Sequence, residues 1–571
     1  MQSLEHPCMT PEGNFVRPLA DLCAARELFK VFISPGARSA PLVRAFTEDG
    51  RFNCEMVNDE RAAAFIALGY SKASGKAALL LCTSGSAVLH YGPAVAEADG
   101  SDVPLLLISA DRPSAFLGQF EGQTTVQDHI FRPWVRYSLS LNGQSFKQHP
   151  KISTEKMWEA LTALDGSPPG PVHINIHLEE PLFISQNPLP LEFPQEGKSI
   201  LPTYPEPFLN DLKKLLKTYE KIVLMPGSRL GEHPFELPPA AKVLMEVGAV
   251  LLHEPGCGWP CPQAGIPNGE DILRCLQEDM WPSLAPDLLI TWGGNRVGKR
   301  LKQMLQRYPP KMHIRLDVHK RLVRFAGTQN KVWDVDPYDN ALWSCTLPQV
   351  PKDYLHLWQE LSRKALERRR MLLAHQPFSD LTSMTGVVQA LPEDAIVHVG
   401  NSMVLRHFYD AYPLASRRFL VDVNRGVSGI DGTLGTAVGW ALARPCSQVW
   451  CLIGDVAFHH GLNALWIETL PSQLKIVVLN NGGGNIFGTM PGPEQTPYPQ
   501  KYFENRRSIC AANDARKYGL EYKSVHQSHE LAGALGWITH STKAAILEIF
   551  TDPDVNIHTF KQFEIKMHLQ Q

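Results

Sequence analysis

Short apolar runs alternate along most of the chain with segments whose apolar residues recur at helical spacing. The runs, which favour strands, occupy residues 30–33, 77–82, 105–108, 172–178, 222–225, 249–253, 288–292, 313–318, 396–399, 419–423, 449–453, 476–479 and 545–550. They are continuous, as in strands that are buried on both faces of a parallel sheet. Strands that alternate with helices predict an α/β fold.

Two breaks divide this pattern into three similar blocks. One is a proline-rich segment, 187–207, which is typical of a linker, and the other is 347–351. We therefore predict three consecutive doubly wound parallel-sheet domains, at residues 1–186, 208–344 and 352–571. The third opens with a long predicted helix whose basic run, Arg368 to Arg370, is expected to lie on a solvated face.

Composition argues against several classes of partner. The chain of 571 residues is 44% hydrophobic and 20% charged, which is typical of globular domains. Its formal net charge of −3 argues against nucleic acid or a membrane surface, and no apolar run is long enough to span a membrane. The 11 scattered cysteines and the lack of a signal-peptide pattern favour a reducing compartment, so we expect the cytoplasm.

The stretch 449–490 carries the main candidate chemistry. Its first apolar run ends at Asp455, a helical pattern over 462–470 follows, and the second run ends at Asn481 and a glycine loop. A parallel crossover brings both strand ends to the same edge of the sheet, where α/β proteins bind ligands. Carboxylate, amide and carbonyl oxygens suit Mg²⁺ together with phosphate. The alternative is a helix cap followed by a plain turn.

The spacing of these polar residues resembles the signature of thiamine diphosphate (ThDP) enzymes, in which Gly-Asp-Gly is followed further along the chain by Asn-Asn. Val456 stands at the third position of the first motif, a departure that leaves the oxygen ligands in place. The resemblance implies that Asp455, Asn481 and the carbonyl of Gly483 bind Mg²⁺, with Mn²⁺ as a substitute, and so hold the diphosphate.

Glu60 is the candidate catalytic residue. It stands at the start of a predicted helix, and on spacing alone the preference of acidic residues for helix N-termini explains it better than catalysis does. In ThDP enzymes a glutamate at this place hydrogen-bonds the aminopyrimidine ring and promotes the proton transfer that activates the cofactor. The resemblance implies that role for Glu60, and cofactor contacts for Thr83, Ser84 and Gly85 at a predicted strand end.

Seven segments extend the resemblance over nearly the whole chain, to the ThDP enzymes that decarboxylate 2-oxo acids. They are SPGARSAPL, ISADRP, GQTTVQ, GKRL, GNSMVLR, NRGVSGIDG and NNGGGNIF. The resemblance implies three domains of the ThDP-enzyme type. It also implies decarboxylation of 2-oxoglutarate and addition of the resulting succinyl carbanion to isochorismate. The active sites would lie at the subunit interface of a homodimer or homotetramer, where Glu60 serves a cofactor held by the partner.

The same resemblance assigns residues to the cofactor and to the two substrates. The cofactor residues are Glu60, Thr83, Ser84, Gly85, Ser402, Ser428, Gly429, Ile430, Asp455, Val456, Asn481, Gly483, Ile486 and Phe487. The substrate residues are Arg38, Arg112, Gln123, Lys299, Arg300, Ser402, Arg406, Arg425, Ile486, Phe487 and Met490. The second set is rich in cations, which suits dicarboxylates because arginine binds a carboxylate through two hydrogen bonds. Ala37 stands where the family usually has serine, so the chain lacks a hydroxyl that the resemblance implies for the acceptor substrate.

Other functions have some support. Residues 293–300 nearly match a P-loop, but Arg300 stands where a nucleotide triphosphatase needs Ser or Thr to hold Mg²⁺. An acetolactate-synthase-like enzyme or a simple decarboxylase would share the ThDP site. A non-catalytic homologue would be expected to lack Glu60 or Asp455, and both are present.

Overall fold

The α/β prediction is confirmed by a computed structural model, which describes residues 16–180, 182, 207–229, 235–259, 265–323 and 331–567. It contains three sheets, and all paired strands in them are parallel. Most of the predicted linker, 187–207, lies outside the described residues; only Pro207 belongs to them, and it begins a helix.

The first sheet lies between residues 30 and 177, in the order β2-β1-β3-β4-β6-β5. Its strands are β1 (Lys30–Ile33), β2 (Asn53–Met56), β3 (Ala78–Cys82), β4 (Leu105–Asp111), β5 (Tyr137–Asn142) and β6 (Val172–His177). The helices of this region are α1 (Val16–Ala25), α2 (Ala40–Thr47), α3 (Glu60–Ser74), α4 (Gly92–Gly100), α5 (Gly143–Gln148) and α6 (Pro150–Thr162). The central strands β3 and β4 are buried along their whole length, as their apolar runs predict.

The second sheet has the order β11-β10-β9-β7-β8. Its strands are β7 (Ile222–Pro226), β8 (Val250–Leu251), β9 (Leu288–Trp292), β10 (Met312–Leu316) and β11 (Lys331–Trp333). The helices of this region are α7 (Pro207–Thr218), α8 (Pro239–Glu246), α9 (Gly269–Cys275), α10 (Trp281–Leu284), α11 (Arg300–Arg307) and α12 (Asn340–Trp343).

The third sheet repeats the topology of the first, in the order β13-β12-β14-β15-β17-β16. Its strands are β12 (Ala395–Val399), β13 (Phe419–Asp422), β14 (Val449–Gly454), β15 (Leu474–Asn480), β16 (Glu521–Val525) and β17 (Ala545–Phe550). The helices are α13 (Asp353–Leu373), α14 (Asp380–Ala390), α15 (Met403–Ala411), α16 (Thr433–Ala443), α17 (Asp455–His460), α18 (Ala512–Lys517), α19 (Ser528–His540) and α20 (Pro553–Lys566). The strand order reverses between β12 and β14, and doubly wound sheets bind ligands beside such a switch point.

Four strands escaped the sequence pattern, and all four lie at sheet edges: β2, β5, β11 and β16. Each is only partly buried, as in β2, where none of the four residues is buried. Edge strands face solvent and carry polar side chains, so they lack a continuous apolar run. The central strands were found because burial on both faces requires one.

The helical pattern predicted over 462–470 is wrong for most of its length. Helix α17 ends at His460, a short 3₁₀ turn follows at Leu462–Leu465, and Trp466 is exposed. Ile467 instead forms an isolated antiparallel bridge with Val57. Leu465 is buried, Trp466 faces solvent and Ile467 forms the bridge, so the apolar residues of this segment do not share one helical face.

The expectation that the basic run on α13 is solvated is wrong for its central residue. Arg369 is only 1% exposed and forms ion pairs with Asp271 and Asp410. Arg274 also pairs with both carboxylates, at 3.0 and 3.1 Å. Two arginines and two aspartates thus compensate one another inside the protein, as buried charges require.

The described residues pack as two compact units. The first unit contains the first sheet and consists of the described residues within Met1–Ser199, Val438–Arg444 and Gly461–Leu470. The second unit contains the other two sheets and consists of the described residues within Ile200–Ala437, Pro445–His460 and Pro471–Gln571. The three domain boundaries remain a prediction. Among the described residues, no helix has both the length and the apolarity needed to cross a membrane.

Candidate active site

The carboxyl edge of the third sheet brings the predicted metal ligands to neighbouring strands. Gly454 at the end of β14 pairs in register with Leu479 on β15. Asp455 follows the first of these strands directly, and Asn481 follows the second. Both side chains are buried, each with 8% exposure. The sequence prediction that this edge gathers polar ligand groups therefore has a geometric basis.

The two adjacent asparagines have different partners. The amide of Asn480 donates to Glu548 Oε1 at 2.7 Å and to the carbonyl of Ile509 at 2.6 Å, and its oxygen accepts from the N–H of Gly482. Glu548 also accepts from Tyr522 Oη at 2.7 Å. Asn480 thus shapes the loop, which leaves Asn481 as the candidate ligand. Sequence reasoning missed Glu548, whose signal was a single charge inside the apolar run of β17.

Asn481 presents an unpaired oxygen. Its Nδ2 donates to Asp380 Oδ2 at 2.7 Å, whereas its buried Oδ1 has no hydrogen-bond partner among the described residues. An unpaired buried amide oxygen is costly unless a ligand satisfies it. This oxygen is therefore a candidate metal ligand.

Asp455 lies in an environment that favours a cation. Burial, with smaller contributions from the negative charges of Asp380 and Glu548, raises the pKa of Asp455 to about 7. The carboxylate accepts hydrogen bonds from the backbone N–H groups of Asp455 and Val456, so it also serves the start of α17. A divalent cation beside it would favour the ionised form.

The third predicted ligand, the Gly483 carbonyl, already accepts a hydrogen bond from the N–H of Asn485 at 3.0 Å. Its φ is 155°, and a Cβ at this position would lie 2.4 Å from the carbonyl oxygen of Glu504. The close approach explains the glycine, while its role as a ligand stays a prediction. The carboxylate of Asp455 and the free oxygen of Asn481 fit Mg²⁺ or Mn²⁺, which prefer hard oxygen ligands.

Asn401 connects the loops beyond β12 and β13. Its Nδ2 donates to the carbonyls of Asn424 and Gly429 at 2.9 and 2.8 Å, and its Oδ1 accepts from Arg425 at 3.1 Å. Sequence reasoning did not single out Asn401, although it lies in the segment GNSMVLR. Its hydrogen bonds bring predicted cofactor and substrate residues together at one edge.

Several predicted cofactor residues lie on these loops in unusual or exposed positions. Ser402 and Ser428 have positive φ, 71° and 63°, and Val456 is 37% exposed. Ile486 and Phe487 lie in the 3₁₀ turn Asn485–Thr489. Ile430, another predicted cofactor residue, is half-buried on the loop that follows Gly429.

A cavity of about 480 Å³ in the second unit gathers four of the predicted substrate residues: Lys299, Arg300, Arg406 and Met490. Burial, and then the charge of nearby Arg425, lowers the pKa of Arg406. Arg406 donates to the carbonyl of Ser402 at 3.0 Å. Arg300 pairs at 2.7 Å with Glu564, a carboxylate that it shares with Arg274. Five basic and three acidic side chains line the cavity, so its net charge is positive.

The P-loop interpretation of residues 293–300 is contradicted by the hydrogen bonds of this loop. Its N–H groups at Val297 and Gly298 donate to Glu254, and those of Arg300 and Leu301 donate to Glu270. A phosphate cradle needs such donors free for the ligand. Here two buried glutamates already occupy them.

Glu60 is the first residue of α3 in the first unit, and it is half-buried. The cap of this helix is Asp59, which accepts from the N–H of Ala62 at 2.9 Å and from Asn463 at 2.7 Å. Because Asp59 already serves as the cap, the Glu60 carboxylate is not needed to start the helix.

The loop after β3 has features expected of a cofactor contact. The hydroxyls of Thr83 and Ser84 are buried and have no hydrogen-bond partner among the described residues. Gly85 has φ 88°, donates to Gln127 Oε1 at 2.8 Å, and lies so near Gln123 that a Cβ would be 3.3 Å from Cγ. The predicted substrate residue Gln123 therefore adjoins a predicted cofactor loop.

The two predicted substrate arginines of the first unit differ in the hydrogen-bond partners of their guanidinium groups. Arg38 is 5% exposed and donates to the carbonyl of Leu178 at 3.0 Å and to Glu180 at 2.8 Å. Arg112 keeps a buried Nε without a hydrogen-bond partner among the described residues. Arg112 is thus better placed than Arg38 to give a hydrogen bond to a ligand.

Comparison with known proteins supports the resemblance. A family model described as "Thiamine pyrophosphate enzyme, N-terminal TPP binding domain" matches residues 14–131, and the corresponding "C-terminal TPP binding domain" matches 398–549. The two matches include strands β1–β4 and most of the third sheet. The protein is therefore a thiamine diphosphate enzyme.

Relatives of similar length narrow the family. Proteins named 2-succinyl-5-enolpyruvyl-6-hydroxy-3-cyclohexene-1-carboxylate (SEPHCHC) synthase include one from Bacteroides thetaiotaomicron, 32% identical over 97% of this chain and 99% of its own. Another, from Christiangramia forsetii, is 33% identical over 95% and 96%, and one from Desulfotalea psychrophila is 32% identical over 94% and 98%. The chain belongs to the SEPHCHC synthase family.

Proposed function

We propose that this enzyme decarboxylates 2-oxoglutarate with ThDP and adds the remaining four-carbon unit to isochorismate, giving SEPHCHC for menaquinone biosynthesis. Similarity to SEPHCHC synthases over 97% of the chain carries this proposal. The oxygen ligands at the third sheet and the cationic cavity support it, because the reaction joins an anionic cofactor with two dicarboxylates.

The diphosphate end of the cofactor is assigned to the carboxyl edge of the third sheet. Asp455, Asn481 and the carbonyl of Gly483 would hold Mg²⁺, or Mn²⁺ in its place, against the diphosphate oxygens. Bound ThDP supplies the carbon nucleophile and the electron sink for decarboxylation. The loop residues Ser402, Ser428, Gly429, Ile430, Val456, Ile486 and Phe487 would position its rings.

Glu60 would accept a hydrogen bond at the aminopyrimidine ring and move the proton that activates the cofactor. Such general acid–base help typically contributes ~10²–10⁴-fold to the rate. The unpaired hydroxyls of Thr83 and Ser84 and the backbone at Gly85 support a cofactor contact at the same sheet edge. A carboxylate serves here because it both accepts the hydrogen bond and exchanges the proton.

The substrate carboxylates would pair with the cations. Lys299, Arg300 and Arg406 line one cavity, and Arg425 adds positive charge beside Arg406. Concentrated positive charge that protein carboxylates only partly compensate attracts dianionic substrates. Arg38, Arg112, Gln123 and Met490 complete the proposed substrate set.

We expect Arg406→Ala and Arg425→Ala each to lower kcat/KM for at least one substrate while ThDP still binds. Loss of a charge-assisted hydrogen bond costs about 1.5–3 kcal/mol, or roughly 10–150-fold in kcat/KM. Steady-state kinetics with each substrate varied in turn measures the effect. Arg418→Ala is the matched control, because Arg418 forms an exposed ion pair with Glu393 at 3.1 Å. Wild-type kinetics in both test variants would show that these arginines are structural.

The proposed reaction is tested by turnover with ThDP, Mg²⁺, 2-oxoglutarate and isochorismate, beside a parallel reaction with pyruvate. Consumption of 2-oxoglutarate that depends on isochorismate, with SEPHCHC detected by mass spectrometry, is the expected result. Preference for pyruvate would favour an acetolactate-synthase-like activity. Release of carbon dioxide without coupling to isochorismate would indicate a simple decarboxylase.

The assembly and the location follow from the same proposal. A homodimer or homotetramer would place Glu60 of one subunit at the cofactor of another. Each cysteine that the structure describes is a free thiol, which supports a reducing compartment and hence the cytoplasm.

A further inference from the structure

A ring of hydrogen bonds surrounds Asp380, the first residue of α14, behind the proposed metal ligand Asn481. The carboxylate of Asp380, 2% exposed, accepts from Thr551 at 2.6 Å. Thr551 in turn accepts from Asn556 Nδ2 at 2.9 Å, and Asn556 Oδ1 accepts from the backbone N–H of Asp380 at 2.8 Å. Groups from α14, the end of β17 and α20 thus fix this carboxylate in place.

The remaining oxygen of Asp380 determines which way the Asn481 amide faces. Oδ2 accepts from Asn481 Nδ2 at 2.7 Å. Both carboxylate oxygens act as acceptors, since Oδ1 already accepts from Thr551, so the NH₂ end of the Asn481 amide faces Oδ2. The Asn481 oxygen must then face the opposite way, and it is the buried oxygen that has no hydrogen-bond partner among the described residues.

We propose that Asp380 is a positioning residue that holds the Asn481 amide with its oxygen toward the metal. Neither end of an asparagine amide faces a cation by default, and the NH₂ end would repel it. Partners behind metal ligands commonly set ligand orientation, and their loss lowers metal affinity by ~10–100-fold. The inference rests on the proposed cofactor site and adds a residue that touches neither the metal nor the substrate.

The test uses Mn²⁺ as the probe, titrated into the full-length protein with saturating ThDP and followed by electron paramagnetic resonance. Asp380→Ala should weaken Mn²⁺ binding by roughly 10–100-fold. Asp380→Asn retains an acceptor oxygen for Asn481, but it loses the charge and presents an NH₂ group to Thr551. Because the acceptor for Asn481 remains, its Mn²⁺ affinity should fall by less than that of Asp380→Ala. Equal losses in the two variants would show that charge, not orientation, carries the effect, and would overturn the proposal.

A rescue experiment distinguishes loss of the Asn481 amide orientation from general disruption of the metal site. A carboxylate at position 481 presents an oxygen whichever way it turns, so Asn481→Asp needs no orienting acceptor. Added to Asp380→Ala, it restores the wild-type charge of the pair, and Mn²⁺ affinity should return to within a few-fold of wild type. A folded double variant that binds as weakly as Asp380→Ala would overturn the proposal, as would wild-type affinity in Asp380→Ala.

Asp455→Ala distinguishes failure of this inference from failure of the cofactor site itself. If Asp455→Ala loses Mn²⁺ binding and Asp380→Ala does not, the result supports the proposed metal site and refutes the positioning role of Asp380. If Asp455→Ala binds Mn²⁺ as the wild type does, the proposed metal site falls together with the inference. Melting temperatures without metal and ThDP, compared among all variants, identify any that fail to fold. If Asp380→Ala is one of them, Asp380→Asn decides the proposal: a loss of Mn²⁺ affinity smaller than about tenfold supports it, and a larger loss overturns it.

Discussion

Asp455→Ala is expected to abolish turnover, because it removes the charged side chain among the proposed metal ligands at the carboxyl edge of the third sheet. Calorimetric titration of ThDP and Mg²⁺ into the variant should show no binding. Asp514→Asn is the matched control, since that carboxylate lies 3.8 Å from His459 and outside the proposed ligand set. Unchanged binding in Asp455→Ala would refute the metal role.

Without the cofactor, removal of the Asp455 charge is expected to leave the protein at least as stable as the wild type. Burial raises the pKa of Asp455 to about 7, so the folded state holds a proton more tightly than the unfolded chain does. Stability therefore falls as the pH rises from the unfolded value near 4 toward 7, and the ionised carboxylate is costly at neutral pH. Asp455→Asn should match or exceed the wild-type melting temperature without ligands, and only the wild type should gain stability from ThDP with Mg²⁺. A clear loss of stability in the ligand-free variant would contradict this account.

Glu60→Gln on its own is expected to be inactive, because an amide accepts the hydrogen bond but does not exchange the proton. Its fold should persist, since Asp59 is the cap of α3. Exchange of the thiazolium proton of bound ThDP, followed by proton NMR, should slow by ~10²-fold or more. Fast exchange in this variant would contradict the role of the carboxylate.

Mixing Glu60→Gln with Asp455→Ala tests whether the site is shared between subunits. Half of randomly reassembled dimers combine the two variants, and each such dimer regains one intact site of two. About a quarter of the wild-type activity should therefore return after joint unfolding and refolding. Wild-type protein taken through the same procedure gives the reference. No recovery in well-refolded heterodimers would contradict the shared site.

The sequence indicated the candidate site at the edge of the third sheet because its polar residues directly follow apolar runs. Asp455 and Asn481 were found in this way, and the register of β14 and β15 places them as expected. The residues behind the edge left no such signal. Asp380 lies 101 positions from Asn481, and Glu548 lies 68 positions from Asn480, so these pairings exist only in the folded chain.

Partial exposure explains why the sequence pattern missed the edge strands. Edge strands such as β2 and β16 carry mixed polar and apolar residues, which a search for continuous apolar runs passes over. Arg369 shows the reverse case, because a charge in a basic run is buried through two aspartates that the run itself cannot indicate. The local sequence pattern predicts the burial of central strands well. It predicts burial poorly where partners from distant parts of the chain determine it.

The first unit includes segments from distant parts of the chain, and this limits how the enzyme can be divided into fragments. Arg444 donates to the carbonyl of Ala73, and a Cβ at Gly439 would lie 2.0 Å from the carbonyl of Ile66, so residues from 438–444 pack closely against α3. Cleavage in the segment 187–207 would therefore separate α3 from part of its own packing. A gene fragment that ends there encodes an incomplete folding unit, and domain exchange between relatives should transplant 438–444 and 461–470 together with the N-terminal region.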